Sequence, residues 1–533
     1  MLTDLCLAVD TIKKKERSMY SKILSESRQN ELLVLYAIIQ KKQTLHSLST
    51  QLAIPSRTIK SYLQKLNIEI EELVDLSNFI HANSKGEYTL NPLFSEKKLV
   101  VYHQLKLHYL KKSPYFSLIV LLTTNYQLSV TELADELFVT SSYLSRIIKS
   151  LNEKLSVFDF QIIKEESYVR LTGNELSIRI FSFLLLGDAF QSLEWPFKQF
   201  TKDELRHELP KDILNDSAKR SDTKKNLLYF LFAVLTIRIQ HQAFPKKPTP
   251  EELAILELIQ KNHDIARLFS SHSFNDLPFK DNKNEILYFN FFTRIFLSDI
   301  ILHEKKIALG KVFSKKEEDA TAFAFQLTNA LKQHFKGNFT EETTFLFIYY
   351  FTLLYVFFQL MGAKIPYFLE LHFPKPVYNL SVNDSKMIEI KKFYDHFSKK
   401  VLHNQHYELL KHTLLRDYFC SLIYTLLQIV KTPRIFIYLQ ITKDFTGKFF
   451  ITEQLSTIFN AETVVITEDV RKAHLIISDT LELSTNCKSI FFLSSLKNQH
   501  QWYELIQIIQ QLLLEELFVE ETSEEKNENN WLR

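Results

Sequence analysis

Two stretches of this chain carry one pattern at a constant offset of 85 residues, and that repeat limits the possible folds more than any other feature. In Ser129–Leu155, Leu133, Ala134 and Leu137 mark the inner face of a short amphipathic helix. Val139 then falls in a turn, and Leu144 and Ile147 carry the apolar stripe of a longer helix. Upstream, Leu48, Ser49, Leu52, Ile54, Ile59 and Tyr62 stand at the same spacings. Two helices joined by a tight turn, with a small residue such as Ala134 where they cross, make a helix-turn-helix. The second helix of the downstream copy turns Ser141, Ser142, Tyr143, Ser145, Arg146 and Lys149 outward. The upstream copy offers Ser56, Arg57, Thr58, Lys60, Ser61, Gln64 and Lys65, with Pro55 at a helix start where its missing N–H costs nothing. Hydroxyls, amides and cations on one helix face are the groups that bond phosphates and base edges in a major groove. Each copy runs into a segment that reads as a β-hairpin, Phe79–Leu90 with Lys85 and Gly86 at its turn, and Phe160–Gly173. A lone amphipathic helix pair is commonplace. Two in register, each followed by a wing, define two winged helix-turn-helix domains.

Composition removes the main enzymatic alternatives. Only 7 glycines occur in 533 residues, and no two are spaced as G-x-G, so a glycine-rich phosphate-cradling loop is absent. Scarce glycine beside 44 Phe and 23 Tyr predicts helices packed through aromatic side chains, a mainly α, multidomain fold. Neither H-E-x-x-H nor G-x-S-x-G is present. No catalytic residue, metal or cofactor is therefore expected, and His403, His406 and His412 read as a solvated helix face. Cys6, Cys420 and Cys487 are too scattered for a disulfide framework or a zinc cluster, which points to the reducing cytoplasm. The 21 uncharged residues Thr343–Ala363 would be long enough to span a bilayer. Rich in Tyr, Thr and Gln and without a second such run, they are expected to form a buried central helix, with no membrane partner.

Charge is informative only by region. Residues 1–112 hold 17 Lys or Arg against 11 Asp or Glu, the footprint of phosphate contact. Residues 113–175 hold 5 basic and 8 acidic residues, so positive charge there is local to Arg146, Lys149 and Lys154.

In chain order, 1–18 reads as an extension, 19–92 as the first winged domain and 93–174 as the second. The second opens on a connector, Ser95–Lys112, and a helix from Pro114 to Asn125. From 175 to 431 apolar residues recur at three and four, a helical period without strands. Within it, an apolar helix ending before a proline occurs twice, at Asn226–Gln240 and Thr343–Gly362, dividing the region into 175–282 and 283–431. From 432 to 518 short apolar runs, 434–441, 462–467, 474–479 and 489–494, alternate with helical patterns at 447–459 and 501–518. That alternation predicts a small α/β domain with a parallel sheet. Residues 519–533 form an acidic tail without a packed structure.

This domain order resembles the Mga-type virulence regulators of Gram-positive bacteria. Met19–Leu24 (MYSKIL) looks like the usual beginning of that family, and Arg170–Glu175 (RLTGNE) like its passage from wing to helical region. By the resemblance, the two helical domains would be PRD-like phosphotransferase-system regulatory domains, and the last would be a PTS IIB-like α/β domain. The resemblance implies a cytoplasmic activator that binds double-stranded DNA as a homodimer or higher homo-oligomer. It would be modulated by the sugar phosphotransferase system through its phosphocarrier protein. His207, His241, His303 and His334 would be the candidate phosphoacceptors. The sequence departs from the family in two places. Glu342 is followed by Tyr349 where a histidine is usual, and the loop Thr442–Lys448 lacks the nucleophilic cysteine of an active IIB component. Two rival readings share parts of this pattern: a PTS-linked protein-interaction module that does not bind DNA, and an RNA-binding antiterminator. The second would need a small β-rich module in place of the amino-terminal helices.

Overall fold

The computed structural model describes residues 23–208, 222–264, 283–335, 337–369, 371, 385–401, 413–430, 434–444, 446–480 and 489–518. They fall into two compact units, one drawn from 1–309, 318–320 and 353–378, the other from 310–317, 321–352 and 379–533.

The first unit begins with α1 (Glu26–Gln40), β1 (Gln43–Thr44), α2 (Leu45–Leu52), α3 (Ser56–Val74), β2 (Ile80–Ala82) and β3 (Glu87–Leu90). α1 starts five residues earlier than its apolar run suggests. Ser25 caps it by accepting from Arg28 N–H, and the polar Gln29 and Asn30 are buried in its first turns. A short 3-10 turn at Pro92–Lys97 leads into α4 (Lys98–Lys111). The second module follows as α5 (Pro114–Asn125), β4 (Gln127–Ser129), α6 (Val130–Glu136), α7 (Ser141–Leu155), β5 (Phe160–Glu165) and β6 (Tyr168–Gly173). Both modules form the expected helix-turn-helix, and both wings are three-stranded, with orders β1-β3-β2 and β4-β6-β5. The third strand escaped the sequence reading. β1 and β4 have two and three residues, too short to carry an alternation, and each borrows its regularity from its antiparallel partner.

Beyond the wing, the helices α8 (Glu175–Phe190), α9 (Lys202–Glu208), α10 (Asp222–Gln240), α11 (Pro250–Asn262) and α12 (Lys283–Phe296) follow. A largely buried ion cluster ties three of them together. Arg179 on α8 gives both Nη1 and Nη2 to Glu285 on α12, its Nε to Glu175 at 2.8 Å, and Nη2 to the Ala243 carbonyl at 2.7 Å. Arg238 on α10 grips the same Glu175 through Nε and Nη2 at 2.9 and 2.5 Å. Two cations against two carboxylates leave the cluster balanced.

A second buried pair joins α4 to α8: Lys106 Nζ lies 2.5 Å from Asp188. Beside it, burial and the Lys106 cation depress the His103 imidazole to about 4. Gln191 donates to its ring at 3.0 Å, so the neutral form is the one accommodated. A histidine whose folded pKa lies below its unfolded value of about 6.5 stabilises the fold fully above that value. Its contribution is lost as pH falls from 6.5 toward 4. The melting temperature is thus expected to drop between pH 6.5 and 5, before most carboxylates titrate, and His103→Phe should flatten that arm of the profile. An unchanged profile in the variant would discount the imidazole.

The remaining helices are α13 (His303–Phe313), α14 (Asp319–His334), α15 (Glu341–Met361), α16 (Ile365–Leu369), α17 (Ser385–Val401) and α18 (Thr413–Val430). Among the described residues, no strand interrupts 175–430. α15 is the apolar run discussed above. It is the one described helix long and apolar enough to cross a membrane, and 67% of its most apolar 18-residue window is buried within the protein. Tyr349, at the place of the usual histidine, is fully buried. Cys420 on α18 is a free thiol that burial raises to about 12, an inert core residue at neutral pH. Cys6, Cys487, His403, His406, His412, the extension 1–18 and the acidic tail lie outside the described residues.

The second unit ends in a four-stranded parallel sheet of β7 (Ile435–Gln440), β8 (Val464–Thr467), β9 (Leu475–Ser478) and β10 (Ser489–Phe492), in the order β10-β9-β7-β8. α19 (Gly447–Ile458) and α20 (Gln499–Phe518) supply the helices. Ile435, Ile437 and Leu439 alternate onto one face with Leu475 and Ile477. There they meet Ile451 and Leu455 of α19 and Leu505 and Ile509 of α20. The α/β alternation read from the apolar runs is therefore present, with each strand two residues shorter than its run.

Candidate nucleic-acid interface

Each recognition helix is fixed by the same three devices. The first is a capping box at the preceding helix. Ser129 Oγ accepts from Glu132 N–H at 3.1 Å while Glu132 accepts from Ser129 N–H at 2.7 Å, and Thr44 and Ser47 do the same in the first module. The second is the apolar seam. Leu144, Ile147, Leu151 and Leu155 are buried along α7; along α3 the buried set is Ile59, Leu63, Leu66 and Ile70. Tyr62, matched to Ile147 by the 85-residue offset, is only half-buried, and Leu63 takes the core seat one residue later. Spacings of three and four both reach one helix face, so the slip costs nothing in register.

The third device is an asparagine. Asn67 on α3 gives its amide N–H to the Ile80 carbonyl at 2.7 Å and accepts from Ile80 N–H at 2.8 Å. Asn152 on α7 makes the same two bonds with Ile162, at 2.8 and 2.7 Å. Each clamps the first wing strand onto its recognition helix. The pair stands at the same 85-residue offset as the apolar template, and that coincidence is the signal by which the sequence could have revealed it.

The outward faces follow from this placement. Ser56, Arg57, Lys60, Ser61 and Gln64 are exposed on α3, with Thr58 half-buried; Ser141, Ser142, Tyr143, Ser145, Arg146 and Lys149 are exposed on α7. The Arg146 guanidinium lies 5.3 Å from the centre of the Tyr143 ring, which holds two long side chains together on the first turns. Ser145 Oγ donates to the Ser141 carbonyl at 3.0 Å, leaving its lone pairs outward. Lys85 sits exposed on the tight turn of the first wing, where Gly86 has φ +74° and donates to the Asn83 carbonyl. Lys164 is exposed on the second.

Lys65 departs from the expectation. Its Nζ lies 2.8 Å from Glu31, a carboxylate buried on α1, so this cation is directed at its own domain. It belongs to a clasp. Arg28 bonds Glu31 at 2.9 Å and Glu69 at 2.6 Å, Tyr109 of α4 donates to Glu69, and the Arg28 guanidinium lies 4.1 Å from the Tyr109 ring centre. Burial alone would raise the Glu69 pKa, but the bonds from Arg28 and Tyr109 hold it below the usual carboxylate range.

The three candidate histidines with described side chains occupy different settings. His241, exposed just after α10, stacks on Tyr126 of the second module with ring centres 4.2 Å apart. Its Nδ1 lies 2.9 Å from the Ile237 carbonyl, and because a carbonyl only accepts, Nδ1 is the donor in that bond. His303 is exposed at the start of α13. His334 lies 3.5 Å from Glu389 and packs beside Phe335 and Phe393. The side chain of His207 lies outside the described residues.

In the sheet domain, the loop after β7 is closed to anions by its own chain. Asp479, at the end of β9, accepts from Thr442 N–H and Oγ1 at 3.0 Å and from Lys443 N–H at 2.7 Å. Burial would raise its pKa, but these donors hold it below the usual carboxylate value, so the carboxylate stays charged and in place.

These modules define the class: winged helix-turn-helix units built twice on one plan. The family model of the Mga helix-turn-helix domain matches residues 101–186, from within α4 to within α8. Residues 101–186 are thus similar to the Mga helix-turn-helix domain, and that match supports the resemblance to Mga-type regulators. A protein of Streptococcus pneumoniae serotype 4 named “Putative trans-acting regulator” is 27% identical over 185 residues, 34% of this chain and 35% of that protein. The match thus spans about a third of the relative's length.

Proposed function

We propose that this chain is a DNA-binding transcriptional regulator of the cytoplasm, acting through both winged modules on double-stranded DNA. The observation that carries the reading is the duplicated, outward-facing set of hydroxyls and cations on α3 and α7, each held rigid by an asparagine clamp to its wing. The Mga helix-turn-helix match supports it from a separate direction. Phosphate contact and DNA shape supply much of the affinity, because few exposed groups beyond Arg57, Arg146 and the small hydroxyls suit base reading. A homodimer or higher homo-oligomer fits paired half-sites.

Control through the sugar phosphotransferase system is part of the proposal. The helical region would act as PRD-like domains, with the phosphocarrier protein as donor. Of His207, His241, His303 and His334, His241 is favoured, since it is exposed, its Nδ1 is held by a backbone carbonyl and its ring rests on the winged module. The α/β domain would be a PTS IIB-like module retained for association, because Asp479 fills the loop where a phosphate would sit.

The test is binding of the full chain to duplex DNA, titrated with salt, against an RNA hairpin as competitor. Arg57→Ala with Lys60→Ala, and separately Arg146→Ala with Lys149→Ala, should each weaken DNA binding about tenfold at physiological salt. Each pair should also lower the slope of log K against log salt by about 2. Unchanged binding in either pair removes that module from the interface, and preference for the hairpin favours the RNA-binding alternative.

A further inference from the structure

The turn between α6 and α7 holds a residue that neither packing nor backbone geometry asks for. α6 ends in a Schellman motif: Val139 N–H reaches the Ala134 carbonyl at 2.9 Å and Phe138 N–H reaches the Asp135 carbonyl at 3.1 Å. The residue at the centre of that motif must be left-handed, and glycine is its usual occupant. Here it is Phe138, at φ +52°. The first module makes the same turn with Ala53 at φ +55°. Phe138 is 95% exposed, so its ring gains nothing from the core. A bulky left-handed residue with an unburied ring is unfavourable on two separate counts. Backbone outliers of this kind concentrate where function needs them.

We propose that the ring of Phe138 is an apolar reading contact, which takes up the C5-methyl group of a thymine when α7 occupies a major groove. The proposal rests on the DNA-binding reading above. Phe138 stands two residues before Thr140, which caps α7 by accepting from Tyr143 N–H, and three before Ser141, the first of the outward hydroxyls. A duplex that meets the first turn of α7 would therefore come within reach of the ring. The exposed groups that follow it in the chain, Ser141, Ser142, Arg146 and Lys149, suit phosphates and polar base edges. The apolar group a major groove displays is the thymine methyl, and phenylalanine is among the side chains that contact it.

The experiment starts with a randomised duplex pool selected on the full-length wild-type protein. The selected duplex is then remade with deoxyuridine replacing each thymine in turn, which deletes only the methyl group. Wild type is expected to lose about fourfold in affinity at one position, the worth of one buried methyl. Phe138→Gly should bind the thymine duplex about as weakly as wild type binds the deoxyuridine one, and should not distinguish the two. Its salt slope should match wild type, since no charge is removed, and its melting temperature should be no lower, since glycine suits the turn. Phe138→Leu should retain part of the discrimination. Equal responses of wild type and Phe138→Gly to deoxyuridine would overturn the contact. So would unaltered DNA binding by Phe138→Gly with loss of transcriptional effect, which would assign the ring to a protein partner. If wild type selects no duplex and shows no salt-dependent binding, the DNA-binding reading itself fails and takes this contact with it.

Discussion

Glu285→Ala should destabilise the protein by about 3–5 kcal/mol, read as a drop in the denaturant midpoint at pH 7. The size follows from what is left behind. Arg179 is 3% exposed and spends two of its nitrogens on Glu285, which is itself 2% exposed. Removing that carboxylate leaves two guanidinium groups sharing Glu175, with a net positive charge in the core between α8, α10 and α12. A guanidinium does not give up its proton in a protein, so the cation left without Glu285 cannot escape by becoming neutral. Replacing both partners, Arg179→Met with Glu285→Leu, should cost far less than Glu285→Ala, because an absent ion pair carries no desolvation penalty. A loss under about 1 kcal/mol for Glu285→Ala would mean that water reaches the cluster.

The second large effect belongs to Gly173→Ala, with Gly86→Ala as its internal control. Gly173 has φ +138°, a region closed to side-chain-bearing residues, and an added Cβ would lie 2.6 Å from both the Asp159 carbonyl oxygen and Phe160 Cα. Both obstacles are backbone and cannot rotate away, so the β5–β6 hairpin has to open where Gly173 pairs with Phe160. The expected cost is about 3 kcal/mol or more, with loss of DNA binding by the second module. Gly86 also has a positive φ, +74°, but its Cβ would meet nothing within 4 Å. Gly86→Ala should cost only about 1 kcal/mol. Equal costs, measured by thermal melts, would refute the steric account.

How much was legible beforehand varies with the length of the pattern that carries the information. α6 and α7 could be read because Leu133, Leu144, Ile147 and Leu151 repeat over many turns, and the parallel strands because apolar runs such as Ile435–Gln440 are bounded by polar residues. β1 and β4, of two and three residues, are too short to repeat an alternation and exist through their partners. The Arg28–Glu69–Tyr109 clasp and the Arg179–Glu285 cluster join residues far apart in sequence, and charge pairing leaves no periodic trace. Lys65 illustrates the limit. Its spacing puts it near the outward face of α3, and only the buried Glu31 on another helix turns it inward. The stretch Arg170–Glu175 was legible as a family likeness but not as physics. In the fold, Arg170 reaches the Tyr126 hydroxyl, Gly173 closes the hairpin, Asn174 caps α8 by accepting from Ser177 N–H, and Glu175 enters the ion cluster.

The clasp that binds Glu69 to Arg28 and Tyr109 turns the front of the molecule into a fixed-gauge caliper. α3 is pinned to α4 by that clasp, and α4 is pinned through Lys106 and Asp188 to α8, the helix that follows the second wing. A duplex turns once in roughly 10.5 base pairs, so shifting one footprint by half a turn would present it to the wrong side of the jaws. On the DNA-binding reading proposed above, such a protein would measure phase as well as letters.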